Sequence, residues 1–332
     1  MFRPAKIKEV DFRNRIVMPA MCQYTATEEG CATDWHFLHY GTRAVGGVGL
    51  IILEATAVEA RGRLSTNDLG IYADRHVEGL RKIVQLCQRY NAAVGIQIAH
   101  AGRKGCEPRL VAPSALPYPD KPTPRELSQE EIGEIVKLWK AGAGRAREAG
   151  FDLLQIHAAH GYLIHEFLSP LSNRRRDKYG GSFQNRLRFL LEVVEAVQEE
   201  WPGDKPLSVR LSAVDHLPGG ITIEDSVRIA AKLKERGVDL LDVSSGGLLP
   251  ASFNLAPGYQ IKYAAKIKEE VGIPVIAAGL ITKAELAQEI LSGGRADFVA
   301  LGRELLRNPY WVLKEAPLQE QIWPRQYQRA RL

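Results

Sequence analysis

The stretch Leu153–Ser182, LLQIHAAHGYLIHEFLSPLSNRRRDKYGGS, begins as an apolar run and turns at once into His157, His160 and Tyr162. Two imidazoles and a phenol packed so closely make poor core filler. Two ring N–H groups could polarise a substrate carbonyl, and a phenol with an ordinary pKa of about 10 stays protonated at neutral pH and can deliver a proton to the adjacent carbon. Taken alone, H-x-x-H also suits core histidines or a metal site. A metal would want further carboxylate or thiolate ligands at strand ends, and Glu54 is the one obvious candidate, so no metal is expected.

Other residues suit a planar, charge-accepting ligand. Arg210 is expected at a strand end facing an inner cavity, where a buried cation needs a counter-charge. A reduced isoalloxazine develops such charge, and Gln97 could bond its amide edge with a donor and an acceptor. The alternative for Arg210 is a structural ion pair with Glu54 or Asp215. The runs Gly279-Leu280-Ile281-Thr282 and Gly302-Arg303 offer backbone N–H groups and a guanidinium fork for phosphate, or they are simply tight turns. Cys22 suits either a thiol laid against a flavin or a small buried hydrophobe, and Tyr24 could donate to a ligand carbonyl from the opposite side.

These residues recur at the ends of apolar runs. Strand-like segments are read at Arg15–Met21, Gly49–Ala55, Ala93–Ala99 and Asp152–Ala158, then at Leu207–Ser212, Leu240–Ser245, Pro274–Gly279 and Phe298–Gly302. Most are near-continuously apolar, as parallel strands covered on both faces are. Helical spacing follows them at His76–Tyr90, Ser128–Ala149, Asn185–Trp201, Thr222–Arg236, Tyr259–Val271, Lys283–Ser292 and Glu304–Lys314. Ser128 with Glu131 is a capping-box signature, and Gly150, Gly237 and Gly272 stand where helices end. Repeated strand–helix units with no second domain's worth of remainder predict one (β/α)8 TIM barrel spanning 1–332; an open doubly wound sheet is the alternative. A closed barrel would gather the strand ends, Ser244 included, on one face. The Pro-rich loop Pro108–Pro124 is expected to be a flap, and the tail from Pro317 is left over beyond the last unit.

Of the chain's 332 residues, 45% are hydrophobic and 25% charged, with a formal net charge of +5, so ordinary globular chemistry is expected. Arg174–Arg176 is the tightest basic cluster, but Asp177 follows at once and no basic face carries interleaved aromatics, which argues against a nucleic-acid partner. The four cysteines show no C-x-x-C spacing, which argues against disulfide, zinc and iron–sulfur frames. The N-terminal residues lack a signal peptide's apolar run and no segment is apolar over a bilayer's width, so a cytoplasmic protein without a membrane partner is expected.

HAAHGYLIHEFLSPLSNRRRDKYGGSFQNR, together with NRIVMPAMCQYTA, GIQIAHAGRK and ADFVALGRELLRNP, resembles the Old Yellow Enzyme family of flavin-dependent ene-reductases, and Cys22 and the terminal QYQR resemble its thermophilic-like bacterial class. The match runs from about Phe2 to Arg329. The resemblance implies a barrel that binds FMN, is reduced by NADPH or NADH, and reduces the C=C bond of activated alkenes such as enones, maleimides and nitroalkenes. It implies that His157 and His160 hold the substrate oxygen, and a phenolic ligand's likewise, and that Tyr162 is the proton donor. Cys22, Tyr24 and Arg329 would meet substrate. Pro19, Ala20, Met21, Cys22, Ala55, Gln97, Arg210, Ser244, Gly279, Leu280, Gly302 and Arg303 would bind FMN. Arg329 would reach a neighbouring subunit's site, which puts the tail 317–332 at a subunit interface and implies a homodimer or homotetramer. Met18-Pro19-Ala20-Met21 departs from the family, which usually has a small polar residue before a proline there.

Two readings of another class compete. One is a non-redox barrel lyase using the histidines as acid and base, although no lysine stands at a strand end for a Schiff base. The other is a flavin or phosphate binder without turnover.

Overall fold

The computed structural model describes residues 1–106, 108–317 and 323–330, so part of the tail lies outside the described residues. Its centre is a closed barrel of parallel strands: β1 Ile16–Met18, β2 Leu50–Ala57, β3 Ala93–Ala99, β4 Leu153–Ala158, β5 Leu207–Ser212, β6 Leu240–Ser244, β7 Val275–Ala277 and β8 Phe298–Ala300. Each pairs with its neighbour in sequence and β8 returns to β1, so the open-sheet alternative falls. An antiparallel hairpin, Ala5–Ile7 with Val10–Phe12, plugs the bottom, where Phe12 meets Phe298 edge to face at 5.2 Å.

The period-two alternation of strand side chains sorts the barrel interior into layers. The floor is apolar: Leu50, Leu153, Leu240, Ile276 and Phe298 pack together there, apart from the larger core between strands and helices. Two residues further along, Gln155 on β4 and Asp242 on β6 share a buried polar layer with Gln97 and Ser208. Two residues beyond that, β4, β5 and β6 present His157, Arg210 and Ser244 at the mouth.

The helices sheathe the barrel. Gln129–Ala149 begins with the expected capping box, Ser128 Oγ accepting from Glu131 N at 3.2 Å and Glu131 returning a carboxylate to Ser128 N at 3.0 Å. It ends on Gly150 at φ 90°. Asp34–Val45, capped by Thr33 and His36, is a helix that the sequence reading did not pick out. The expected helix Glu304–Lys314 is two short ones, Gly302–Arg307 and Trp311–Glu315, because Asn308-Pro309 interrupts it.

β2 runs to Ala57 with a register shift between Leu53 and Ala55. At this bulge Glu54 is held by side chains: its N–H donates to Tyr40 Oη at 3.0 Å, and its carbonyl accepts from Thr56 Oγ1 at 2.8 Å. Its carboxylate, also reached by Tyr40, therefore sits against helix Asp34–Val45. The loop Pro108–Pro124 is secured at both ends. Val111–Ala112 pairs with Arg125–Glu126, and buried Arg175 donates to the carbonyls of Pro113 and Leu127. The apparent basic cluster is thus partly structural.

Candidate functional site

β4 ends by delivering His157, then turns through His160 at φ 60° and Gly161 at φ 72° into Tyr162, which caps the short helix Leu163–Leu168. The imidazoles meet edge to face at 5.2 Å, and His157 meets the Tyr162 ring at 4.8 Å. Desolvation, and then the Arg210 cation, holds both imidazoles well below their usual pKa, so they are neutral near pH 7. His157 Nδ1 accepts from Ala159 N at 3.2 Å, which leaves Nε2 to carry the proton. His160 Nε2 lies 2.7 Å from Ser244 Oγ. Since Ser244 Oγ already accepts from Gln260 at 3.2 Å, its own hydroxyl proton suits His160 Nε2, leaving Nδ1–H as that ring's free donor. Burial raises the Tyr162 phenol well above its ordinary value, so it too is a proton carrier at neutral pH.

The turn is braced from behind. Gly161 N donates to His165 Nδ1 at 2.8 Å, and His165 Nε2 lies 2.8 Å from buried Asp215. Asp215 is therefore committed to His165 and is not the partner of Arg210. Glu54 is not that partner either: its carboxylate takes Gln23 N at 2.7 Å and lies 3.3 Å from His36. Arg210 Nε instead lies 3.3 Å from Asp242, one strand over, and its Nη1 reaches the Ala20 carbonyl at 3.4 Å. A buried polar line continues from Asp242 through Gln155 to Gln97, whose amide donates to Gln155 at 2.6 Å. Alternation along β4 and β6 could have exposed Gln155 and Asp242, since each is polar in an inward-facing position of an apolar run.

By fixing Gln23, Glu54 shapes the loop after β1, where Cys22 is half-buried and Tyr24 is 52% exposed at φ 56°. Cys22, Ala55 and Tyr162 line one niche beside the mouth. Burial pushes the Cys22 thiol up to about 12, so it is not a thiolate nucleophile.

On the far side, a cavity of about 170 Å³ runs beneath Pro19 between β5, β6, β7 and β8. Arg210, Ser244, Gly279, Leu280, Gly302 and Arg303 all line it, as do Tyr259, Gln260 and Arg307, which the sequence reading passed over. Gly279 adopts φ 126° and Leu280 φ 54°, a backbone that turns back on itself beside the guanidiniums. Gly302 lies under Pro19 and Met21. Arg329 is exposed, in the turn Arg325–Ala330, where Tyr327 touches Tyr310 beyond the last helices. Among the described residues, no group of three His, Cys, Asp or Glu could hold a metal ion, and no helix is long and apolar enough to cross a membrane.

The cradle after β7 and β8, an arginine with spare donors and a buried amide line would suit FMN, with its phosphate in that cradle, and they point to a class: the flavin-dependent barrel oxidoreductases. Residues 1–320 match the family described as NADH:flavin oxidoreductase / NADH oxidase, and the chain belongs to that family. It is 54% identical over 314 residues to the NADPH dehydrogenase of Geobacillus sp. (strain WCH70), covering 94% of this chain and 92% of that one. Two solved structures resemble it at 29% identity. Morphinone reductase has a TM-score of 0.82, with 93% of this chain and 87% of that chain covered. The old yellow enzyme homologue from Zymomonas mobilis has a TM-score of 0.83, with 96% and 93% covered. The Old Yellow Enzyme resemblance holds: this is an FMN-dependent oxidoreductase that uses a nicotinamide reductant, which removes the lyase and the passive binder.

Proposed function

We propose that the enzyme reduces the C=C bond of activated alkenes, α,β-unsaturated carbonyl compounds foremost, with Tyr162 supplying the proton. The observation that carries this reading is the corner formed by two neutral imidazoles and a protonated phenol, with the His157 ring 5.2 Å from that of His160 and 4.8 Å from that of Tyr162. When bound, reduced FMN supplies the hydride. The chain's residues do the rest. His157 Nε2–H and His160 Nδ1–H grip the electron-withdrawing oxygen and stabilise the charge it gains. Tyr162 gives its proton to the carbon alongside. Arg210 places positive charge against the flavin, with Asp242 holding its side chain in line. Arg303, with the backbone at Gly279 and Gly302, takes the phosphate, and Cys22 and Tyr24 form the opposite wall.

Stopped-flow measurement of the separate half-reactions tests this. Tyr162→Phe should slow flavin reoxidation by cyclohexenone by roughly 100-fold, the scale of a lost general acid, while flavin reduction by NADPH is nearly unchanged. Equal losses in both halves would remove Tyr162 as proton donor. Replacing both His157 and His160 should weaken binding of phenolic ligands.

We further propose that a second copy of the chain covers the tail. The groove among Tyr310, Leu313, Trp323 and Tyr327 holds about 450 Å³, and Trp35 and Leu38 are 50% and 65% exposed. Arg329 would then enter the neighbour's mouth.

A further inference from the structure

Lys104, just past β3, has no carboxylate at ion-pair distance among the described residues and yet is half-buried. Its ammonium donates to the carbonyl of His160 at 2.8 Å and to that of Gly247 at 2.5 Å. It also lies 5.5 Å from the centre of the Tyr162 ring and 4.4 Å from that of Tyr118, which the Pro-rich loop brings over it. The turn it grips is strained, with His160 and Gly161 both at positive φ. Gly161 has no room for a Cβ against Gly247 and Leu248.

We propose that Lys104 is a positioning residue for the protonation step: it braces the His160–Gly161–Tyr162 turn and holds a positive charge against the phenol that must give up its proton. This rests on the reading of Tyr162 as the donor. In that step the phenolic O–H bond breaks and a C–H bond forms on the substrate. The electron pair stays on the phenolic oxygen until a proton from bulk water restores the phenol. A cation on the ring face favours the phenolate that forms transiently. Asp68, Cys22 and Tyr24 face the same phenol and oppose that charge, while Arg210 favours it; Lys104 is the second cation beside the ring, 5.5 Å from its centre. Lys104 itself faces Glu166, which favours its charge, and Arg103, which opposes it. Burial lowers it to about 8. The charge is therefore present below about pH 8 and lost above it.

The test is stopped-flow kinetics of the holoenzyme across pH 6–10 for Lys104→Met, Lys104→Gln and Lys104→Arg. The Met and Gln variants should retain FMN and reduce it with NADPH at nearly the wild-type rate. Their reoxidation by cyclohexenone should slow by about tenfold or more, a part of the general-acid contribution. Wild-type reoxidation should fall as pH rises through about 8, and neither neutral variant should show that limb. Lys104→Arg should recover most of the rate. Gln can still donate to the carbonyls, so slow reoxidation in Gln separates charge from bracing. In a Tyr162→Phe background, Lys104→Gln, which keeps the bracing and removes only the charge, should add nothing. Wild-type rate and pH profile in the neutral variants would overturn the proposal, and so would equal losses in both half-reactions or a loss that persists without the Tyr162 hydroxyl. If Tyr162→Phe alone reoxidises normally, the donor assignment falls, a result distinct from failure of the Lys104 role alone.

Discussion

At the scale of single residues, the site depends on imidazoles held neutral by desolvation, and this has a consequence for stability. His157 and His160 bind a proton in the unfolded chain below about pH 6.5 but resist it when folded. Their contribution is therefore fully present above about pH 6.5 and is lost as pH falls toward their depressed native values. Buried Glu166, raised to about 8, works the other way, so a comparison between variants is needed. Between pH 7.5 and 5, the melting temperature of the wild type should drop more steeply than that of a His157→Asn/His160→Asn variant. Parallel curves would mean that the imidazoles are not desolvated. The place of these two histidines, of Tyr162, of Arg210 and of the glycines after β7 and β8 at the mouth was legible in the sequence because each stands near or just past the end of an apolar run. Asp242 and Gln155 were not, because they lie inside such runs, and Lys104 was not, because its role depends on a turn that arrives from another strand.

At the scale of elements, the bulge in β2 decides what Glu54 does. A regular strand would have left that carboxylate at the mouth, free to face Arg210 or a metal. The register shift turns it to helix Asp34–Val45, where it becomes the anchor for the loop carrying Cys22 and Tyr24. Tyr40→Phe would leave the Glu54 N–H without its partner inside the protein, at a cost of about 1–3 kcal/mol. Urea unfolding should register that loss, and loosening of the Gln23 loop should raise KM for the proposed alkene substrate more than it lowers kcat. Ser128→Ala, at a cap far from the mouth, should cost about 1 kcal/mol and leave both constants alone. The Asp34–Val45 helix escaped the sequence reading because its histidines, Trp35 and Tyr40 mask the usual contrast between apolar and charged faces. Two of them, His36 and Tyr40, are there to serve Glu54. The eight-strand order, by contrast, was legible almost throughout, since parallel strands buried on both faces have a plain apolar signature.

At the scale of the whole molecule, the proposed assembly makes a separate prediction. If a second copy covers the groove at Tyr310 and Tyr327, truncation after Pro317 should shift the sedimentation coefficient toward that of a monomer. Arg329→Ala should leave assembly intact while weakening phenol binding. A truncated chain that sediments like the full one would remove the tail from the interface.

Four residues other than glycine around this mouth, Tyr24, His160, His216 and Leu280, occupy left-handed backbone. Each such conformation costs roughly 1–2 kcal/mol, a load carried by a barrel whose floor is wholly apolar. Anyone hardening the enzyme for heat or solvent would choose these four for relief by glycine. They are also the positions where loss of side chain or rigidity would most directly blur the proposed grip on flavin and alkene, so gains in durability are better sought around the closed lower end.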